Sequence, residues 1–236
     1  MPRSCHGCPI LDHSEWQALS EDEISFLDAH KTCMRLERGE VIFNEGDVCT
    51  GVYCILSGLV GIRKMDSEGN SILLGRIGYS GSKLGYRPFL AGERHRATAE
   101  TLEPSTLCFI EGAAVRRLLE RNSQLSLNFL ESTTRALGYA EEDYFQNATH
   151  SLRTQLIRQL LVFKGRYGKK SADGTIRLDL PISRGDMAAM FGVRPESLSR
   201  AIRELRDDGL VRFSGRTAHI LDVEELFDGM GSEMHS

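Results

Sequence analysis

Glu196, Ser199 and Arg200 stand three and four residues apart in the stretch FGVRPESLSRAIRELRDDGLVRFSG, Phe191 to Gly215. At about 100° per helical residue, those three and Arg203 fall on one side, with Leu198, Ile202 and Leu205 on the other. A carboxylate, a hydroxyl and a guanidinium on the outside of a helix can meet base edges in a major groove. Arginine donates two hydrogen bonds to guanine and a carboxylate accepts from the cytosine amino group; each matched pair gives roughly 1–3 kcal/mol of discrimination. A solvated amphipathic helix can carry the same residue types, so the surroundings must decide.

A second set of reactive side chains is sulfur. The six cysteines are Cys5, Cys8, Cys33, Cys49, Cys54 and Cys108. The spacing in CHGC lets Cys5 and Cys8 hold one zinc or one iron of a cluster, or form a redox pair. The start, MPRSCHGCPI, has no apolar signal core, so the expected compartment is a reducing cytoplasm. There, close cysteine pairs suggest metal or redox chemistry more than structural disulfides. Cys33, Cys49 and Cys54 read as small apolar core residues. Four readings stay open: a cluster, a thiol switch or zinc site on Cys5 and Cys8, an unrelated ligand or haem using His6, His13 or His95, and no cofactor.

The elements that position these residues follow from composition and pattern. The 236 residues are 41% hydrophobic and 26% charged, enough for a core and two domains, and no apolar run is long enough to span a bilayer. The net charge of −4 hides an asymmetry: residues 150–216 hold 14 Lys and Arg against 7 Asp and Glu, and residues 217–236 hold 5 acids and no Lys or Arg. A basic segment on an otherwise acidic chain suits a polyanion-binding module.

Ser20 and Glu23 have capping-box spacing for a short helix. From about Gly39 to Glu111, short apolar runs broken by glycines predict an antiparallel sandwich or roll, with a hairpin loop at Asp66 to Ser71. After Gly112 a helical period takes over. Leu130, Leu137 and Tyr144 recur every seven residues, with Thr133, Ala140 and Ala148 near the same stripe, as in a dimerisation helix. TIRLDLPIS reads as a strand leading into a helix start, where Ser183 and Asp186 form an N-cap signature. RGDMAAMFG is a short helix ending at Gly192, Pro195 starts the next, and Gly209 ends that one. Two short strands around Ser214–Gly215 complete a helix, tight turn, helix and wing.

These motifs resemble the bacterial transcription regulators named after the cyclic-AMP receptor protein and the fumarate–nitrate reduction regulator, the CRP/FNR family. The resemblance runs over nearly the whole chain, through RGEVIFNEGD, YCILSGLVGI and ISRGDMAAMFGVRPESLSRAIREL. It implies an α+β chain: an N-terminal antiparallel β-roll of the cyclic-nucleotide-binding type (a double-stranded β-helix), a long dimerisation helix and a C-terminal winged helix-turn-helix. The expected divisions are a cysteine-containing segment 1–19, roll 20–112, dimerisation helix 113–150 and DNA-binding domain 151–236.

The Glu-x-x-Ser-Arg of the anaerobic-regulator branch matches Glu196, Ser199 and Arg200. This implies a palindrome close to TTGAT-N4-ATCAA, with Arg200 on guanine, Glu196 on the opposite strand and Ser199 on a thymine. Arg194, Arg203 and Ser183 are further DNA-binding candidates. Nucleotide-binding members use Gly-Glu for the ribose and Arg-Ser for the phosphate; here Tyr86 follows Gly85, and His95 and Arg96 stand at the phosphate pair, so cyclic AMP is not the expected ligand.

Cys5, Cys8 and Cys108 match three of the family's four [4Fe-4S] ligands. Ser14, Glu15 and Trp16 stand where the remaining cysteine is expected, leaving Asp12, His13 or Cys33 to substitute. Oxygen or nitric oxide would then be the signal, a homodimer the DNA-binding form, and RNA polymerase a partner if the protein activates. The competing class is a ligand-binding regulatory module whose C-terminal part contacts protein. An enzyme is not expected: the chain has no nucleophile–base motif, P-loop or dinucleotide fingerprint.

Overall fold

Ser20 opens the first helix as its spacing predicts. Its hydroxyl accepts from the Glu23 amide, the Glu23 carboxylate accepts from the Ser20 amide, and α1 runs Glu21–Ala29. The computed structural model describes residues 4–65 and 71–231. Two compact units divide the chain, Met1–Tyr139 and Ala140–Ser236.

In the first unit, two short 3-10 turns at Leu11–His13 and Glu15–Ala18 precede α1. The strands are β1 (Lys31–Leu36), β2 (Val41–Phe43), β3 (Gly51–Ser57), β4 (Val60–Met65), β5 (Ser71–Gly78) and β6 (Lys83–Leu84). Helix α2 (Tyr86–Ala91) then leads to β7 (Thr98–Thr101) and β8 (Ser105–Glu111). They form two antiparallel four-stranded sheets, ordered β1-β8-β3-β6 and β2-β7-β4-β5. Ile55, Val60, Leu84, Ala99 and Leu107 make the buried layer of the roll. The expected loop at Asp66 to Ser71 lies outside the described residues except for Ser71, which begins β5.

The helical region after Gly112 is broken where one helix was expected. Helix α3 (Gly112–Arg121) stops at Asn122, and α4 runs Ser123–Thr149. Asn122 supplies the physical reason: its Oδ1 accepts from the Leu125 amide, while its Nδ2 donates to the Ala18 carbonyl and the Glu23 carboxylate. A side chain that captures backbone groups this way favours a helix start over a helix interior. Leu125 and Phe129 of α4 are buried. Leu130, Leu137 and Tyr144 are instead 63%, 59% and 78% exposed, so their own chain leaves that stripe uncovered.

In the second unit, Ser151 caps α5 (Leu152–Tyr167). Then follow β9 (Gly168–Lys170), β10 (Ile176–Asp179), α6 (Arg184–Met190), α7 (Pro195–Asp207), β11 (Val211–Ser214), β12 (Thr217–Ile220) and α8 (Val223–Gly231). The sheet order is β11-β12-β10-β9. No helix among the described residues is long and apolar enough to cross a membrane.

Candidate nucleic-acid interface and cysteine cavity

Helix α7 is fixed by its inner side. Leu198, Ala201, Ile202 and Leu205 are buried, and the helix packs on α5, α6 and β11. Its entry is set by a tight turn in which Gly192 takes φ +64°, a left-handed conformation that favours glycine. The Gly192 and Val193 amides donate to the carbonyls of Ala189 and Ala188, and Pro195 occupies the first turn, where a missing N–H costs nothing. Ser183 caps α6 in a reciprocal capping box with Asp186, so its hydroxyl is engaged inside the fold.

The outer side of α7 is uncommitted. Glu196, Ser199, Arg200 and Arg203 are exposed. Among the described residues, their side chains make no hydrogen bond, ion pair or ring contact. Other arginines of this unit are engaged: Arg153 with Asp208, Arg158 with Asp143, Arg177 with Asp179, Arg206 with Asp207, and Arg216 with the Pro181 carbonyl. Arg194 stands exposed just before α7. Arg200 also edges an open groove of about 270 Å³ beside Ser151 and Arg153 at the start of α5. The hairpin of β11 and β12 pairs Ser214 with Thr217 at its tip. Unpaired guanidiniums beside a hydroxyl and a carboxylate on a rigid helix form a surface ready to donate to and accept from an external partner.

The roll interior presents a different chemistry. His95 is buried and stacks on Phe43 at 3.7 Å with rings 13° apart. Burial holds the imidazole below its ordinary pKa, favouring the neutral form, although Asp47 pulls the other way. Arg94 and Arg96 are exposed; Arg94 donates to the Gly46 carbonyl and Arg96 pairs with Glu93.

The cysteines are partly brought together. Cys5, Cys8, Cys54 and Cys108 line one apolar cavity of about 40 Å³, with Ser14, Trp16 and Lys31 also on its wall. Cys33 does not line it. Cys33 lies directly across β1 and β8 from Cys108, and the two are disulfide-bonded, with a Cα separation of 4.0 Å. This corrects one expectation: Cys33 is placed to bond Cys108 rather than complete a ligand set with it, while the close pair Cys5 and Cys8 carries free thiols. Asp12 and His13 are exposed and stand off the cavity. His6 pairs with Glu21 on the surface, so His6, His13 and His95 form no common site.

Cys54 is the residue that sequence reasoning passed over. An apolar strand hid it, and only its register opposite Cys108 could have signalled it. Burial pushes the Cys54 thiol up to about 12, and burial together with the Asp28 carboxylate does the same for Cys5. Burial also raises Cys49, whose sulfur donates to the carbonyls of Gly51 and Gly85, away from the cavity. Among the described residues, no three His, Cys, Asp or Glu side chains converge as one metal ion would require.

The N-terminal segment is fastened to the roll and to α4. The Cys5 amide donates to Asp28, which also pairs with Lys31 at 2.7 Å. Glu15 forms a buried ion pair with Lys83, which donates to Ser132 of α4 and lies 4.7 Å over the Phe129 ring. Trp16 meets Phe129 edge-on at 5.2 Å, and the Asn128 side chain donates to the Glu15 carbonyl.

Comparison with known proteins bears on both units. Residues 33–122 match the cyclic nucleotide-binding domain family model, and residues 154–228 match the Crp-like helix-turn-helix domain model. The chain is 26% identical to the nitrogen fixation regulation protein FixK of Bradyrhizobium diazoefficiens, over 92% of this chain and 90% of that protein. It is 25% identical to the anaerobic regulatory protein of Bacillus subtilis, over 84% of this chain and 83% of that protein. The structure of FixK2 from Bradyrhizobium japonicum superposes with a TM-score of 0.69 at 23% identity, covering 84% of this chain and 96% of that one. A CRP/FNR-family transcriptional regulator from Thermus thermophilus gives 0.70 at 22% identity, covering 86% and 100%.

Proposed function

We propose that this chain, which belongs to the CRP/FNR family of DNA-binding transcription regulators, acts in the cytoplasm as a homodimer that reads a TTGAT-N4-ATCAA-like palindrome and answers a redox, oxygen or nitric oxide signal through its cysteines. The observation that carries the DNA reading is the outward, unpaired face of α7. Arg200 reaches guanine with two donors, Glu196 accepts from a base amino group on the opposite strand, and Ser199 meets a thymine. Arg194 and Arg203 supply positive charge for phosphates beside the readout. Ser183 contributes by fixing the start of α6 rather than by a free hydroxyl.

The uncovered stripe of Leu130, Leu137 and Tyr144 supports dimerisation against a second copy. A two-fold dimer sets its reading helices about one DNA turn apart, which matches half-sites separated by four base pairs.

The roll does not recognise cyclic AMP in this reading. A neutral, buried imidazole stacked on Phe43 offers no charge to a cyclic phosphate, and the two nearby guanidiniums are spent on Gly46 and Glu93. The cavity cysteines are the better sensor. Cys5, Cys8 and, once its disulfide to Cys33 is reduced, Cys108 are of the right chemistry to hold a [4Fe-4S] cluster, which when bound would supply lability toward oxygen and nitric oxide. Contacts of Glu15, Trp16 and Asn122 with α4, α1 and the roll let the docking of the N-terminal segment bias the dimer helix; a difference of a few kcal/mol between two states suffices.

The test is a titration of palindromic and scrambled duplexes at several salt concentrations. A steep fall in affinity with salt, together with a preference for the palindrome, is expected. Equal affinity for both duplexes defeats the readout assignment.

A further inference from the structure

We infer that Cys54 is the fourth thiolate, with Cys5, Cys8 and Cys108, of a polynuclear iron–sulfur centre, and that the Trp16 indole N–H donates to its sulfur. The inference rests on the cysteines being the sensor and adds two residues to it.

Cys33, Cys108 and Cys54 lie directly across from one another on β1, β8 and β3. Residues opposite in register share a sheet face, and here that face turns toward the N-terminal segment: Cys54, Cys5 and Trp16 belong to one buried cluster. Four of the six cysteines therefore surround a single cavity. Soft thiolates select zinc, copper(I) or iron–sulfur centres. Among the described residues no three His, Cys, Asp or Glu side chains converge as a single ion would require, whereas the ligands of a cluster stand apart at its corners.

Trp16 brings a buried donor to the same cavity. Trp16 is 3% exposed and lines the cavity, and its Nε1 has no acceptor. The Trp16 indole bears on the Cys54 thiol, favouring its ionised form against the burial that disfavours it. An unsatisfied buried N–H costs about 1–3 kcal/mol, and a metal-bound thiolate is a stronger acceptor than a thiol. Lys31 adds a positive charge on the wall of what would be an anionic site. The present cavity has room for only about three waters. Assembly of the centre and docking of the Cys5–Trp16 segment would then be one coupled event.

Cys33 competes for the Cys108 sulfur. Loading needs reduction of that disulfide: a dithiol reductant gives up two electrons and two protons, becoming a disulfide, while Cys33 and Cys108 become thiols. Cys33 is thus a latch on the ligand set and not a member of it.

The experiment is anaerobic loading of the full chain with ferrous iron and sulfide, read by iron and sulfide content and visible absorption. With a dithiol reductant, wild type should hold about four irons per protomer. Cys33→Ala should load equally and without the reductant. Cys54→Ser and Cys54→Ala should fall to less than half the wild-type iron, with far-UV circular dichroism unchanged. Full loading of the Cys54 variants overturns the inference and leaves the sensor reading standing; a wild type without iron overturns both. Should the Cys54 variants not fold, Trp16→Phe decides. It should keep its iron and show a lower reduction potential, because a donor to the ligand sulfur stabilises the more negative reduced state; an unchanged potential overturns the assignment.

Discussion

Replacing Lys83 by Met should release the N-terminal segment from the roll. Lys83 is 4% exposed at its side chain and Glu15 14%, and the Lys83 ammonium also donates to Ser132. Methionine retains most of the apolar stem over Phe129 and removes only the charge. The Glu15 carboxylate is then left buried without its cation, at a cost of about 3–5 kcal/mol. Glu15→Gln leaves the ammonium in the same position and should cost a similar amount. The double variant should cost little more than either single one, because no unpaired charge remains, so the cycle should show a coupling energy of several kcal/mol. Trp16 is the only tryptophan of the chain and sits beside this pair, so its emission reports the docking directly. At a urea slope of about 2 kcal/mol per molar, the single variants should unfold about 1.5–2.5 M earlier. Additive losses, or losses below about 1 kcal/mol, would refute a buried pair and place these charges in water.

Other outcomes follow from the same contacts. Burial alone would raise the Glu15 pKa, but its Lys83 and Ser132 hydrogen bonds hold it below the ordinary value, and Lys31 with the Cys5 amide brings Asp28 to about 2. Both carboxylates stabilise the fold above their unfolded pKa values near 4, and each loses that stabilisation as pH falls through its lowered folded value, which for Asp28 is about 2. Trp16 emission followed by acid titration should therefore show undocking in that window, and Asp28→Asn should remove about 2 kcal/mol at neutral pH, at most. Leu130→Glu with Leu137→Glu should give a folded monomer in sedimentation, since both side chains are exposed in the single chain; a persistent dimer would place the interface elsewhere. Leu205→Ala, fully buried beneath α7, should cost about 2–5 kcal/mol of stability.

Local signals in the sequence were strong where one or two residues set a boundary. Ser20 with Glu23, Ser183 with Asp186, Gly192 before Pro195 and the strands around Gly215 all appear where their spacing places them. The outward side of α7 was equally legible, because helical period alone separates Leu198 and Ile202 from Ser199 and Arg200. The break at Asn122 was not, since its partners Ala18 and Glu23 lie about a hundred residues away in sequence. Strand register was likewise hidden. Cys54 and Cys33 look alike as cysteines in apolar strands, and only the order β1-β8-β3 shows that one is bonded to Cys108 while the other faces a cavity.

Arg200→Ala asks whether the outer face of α7 reads bases. The side chain is exposed and has no partner within the described fold, so its removal should change stability by no more than about 0.5 kcal/mol. Binding by fluorescence anisotropy, at one fixed salt concentration, should show wild type preferring the TTGAT-N4-ATCAA duplex over a scrambled one by roughly 10³-fold or more. Loss of about 1–3 kcal/mol in each of two half-sites should shrink that preference by roughly thirty-fold at the least and abolish it at the upper end, with affinity for the scrambled duplex little changed. A variant that keeps the wild-type preference would contradict the account.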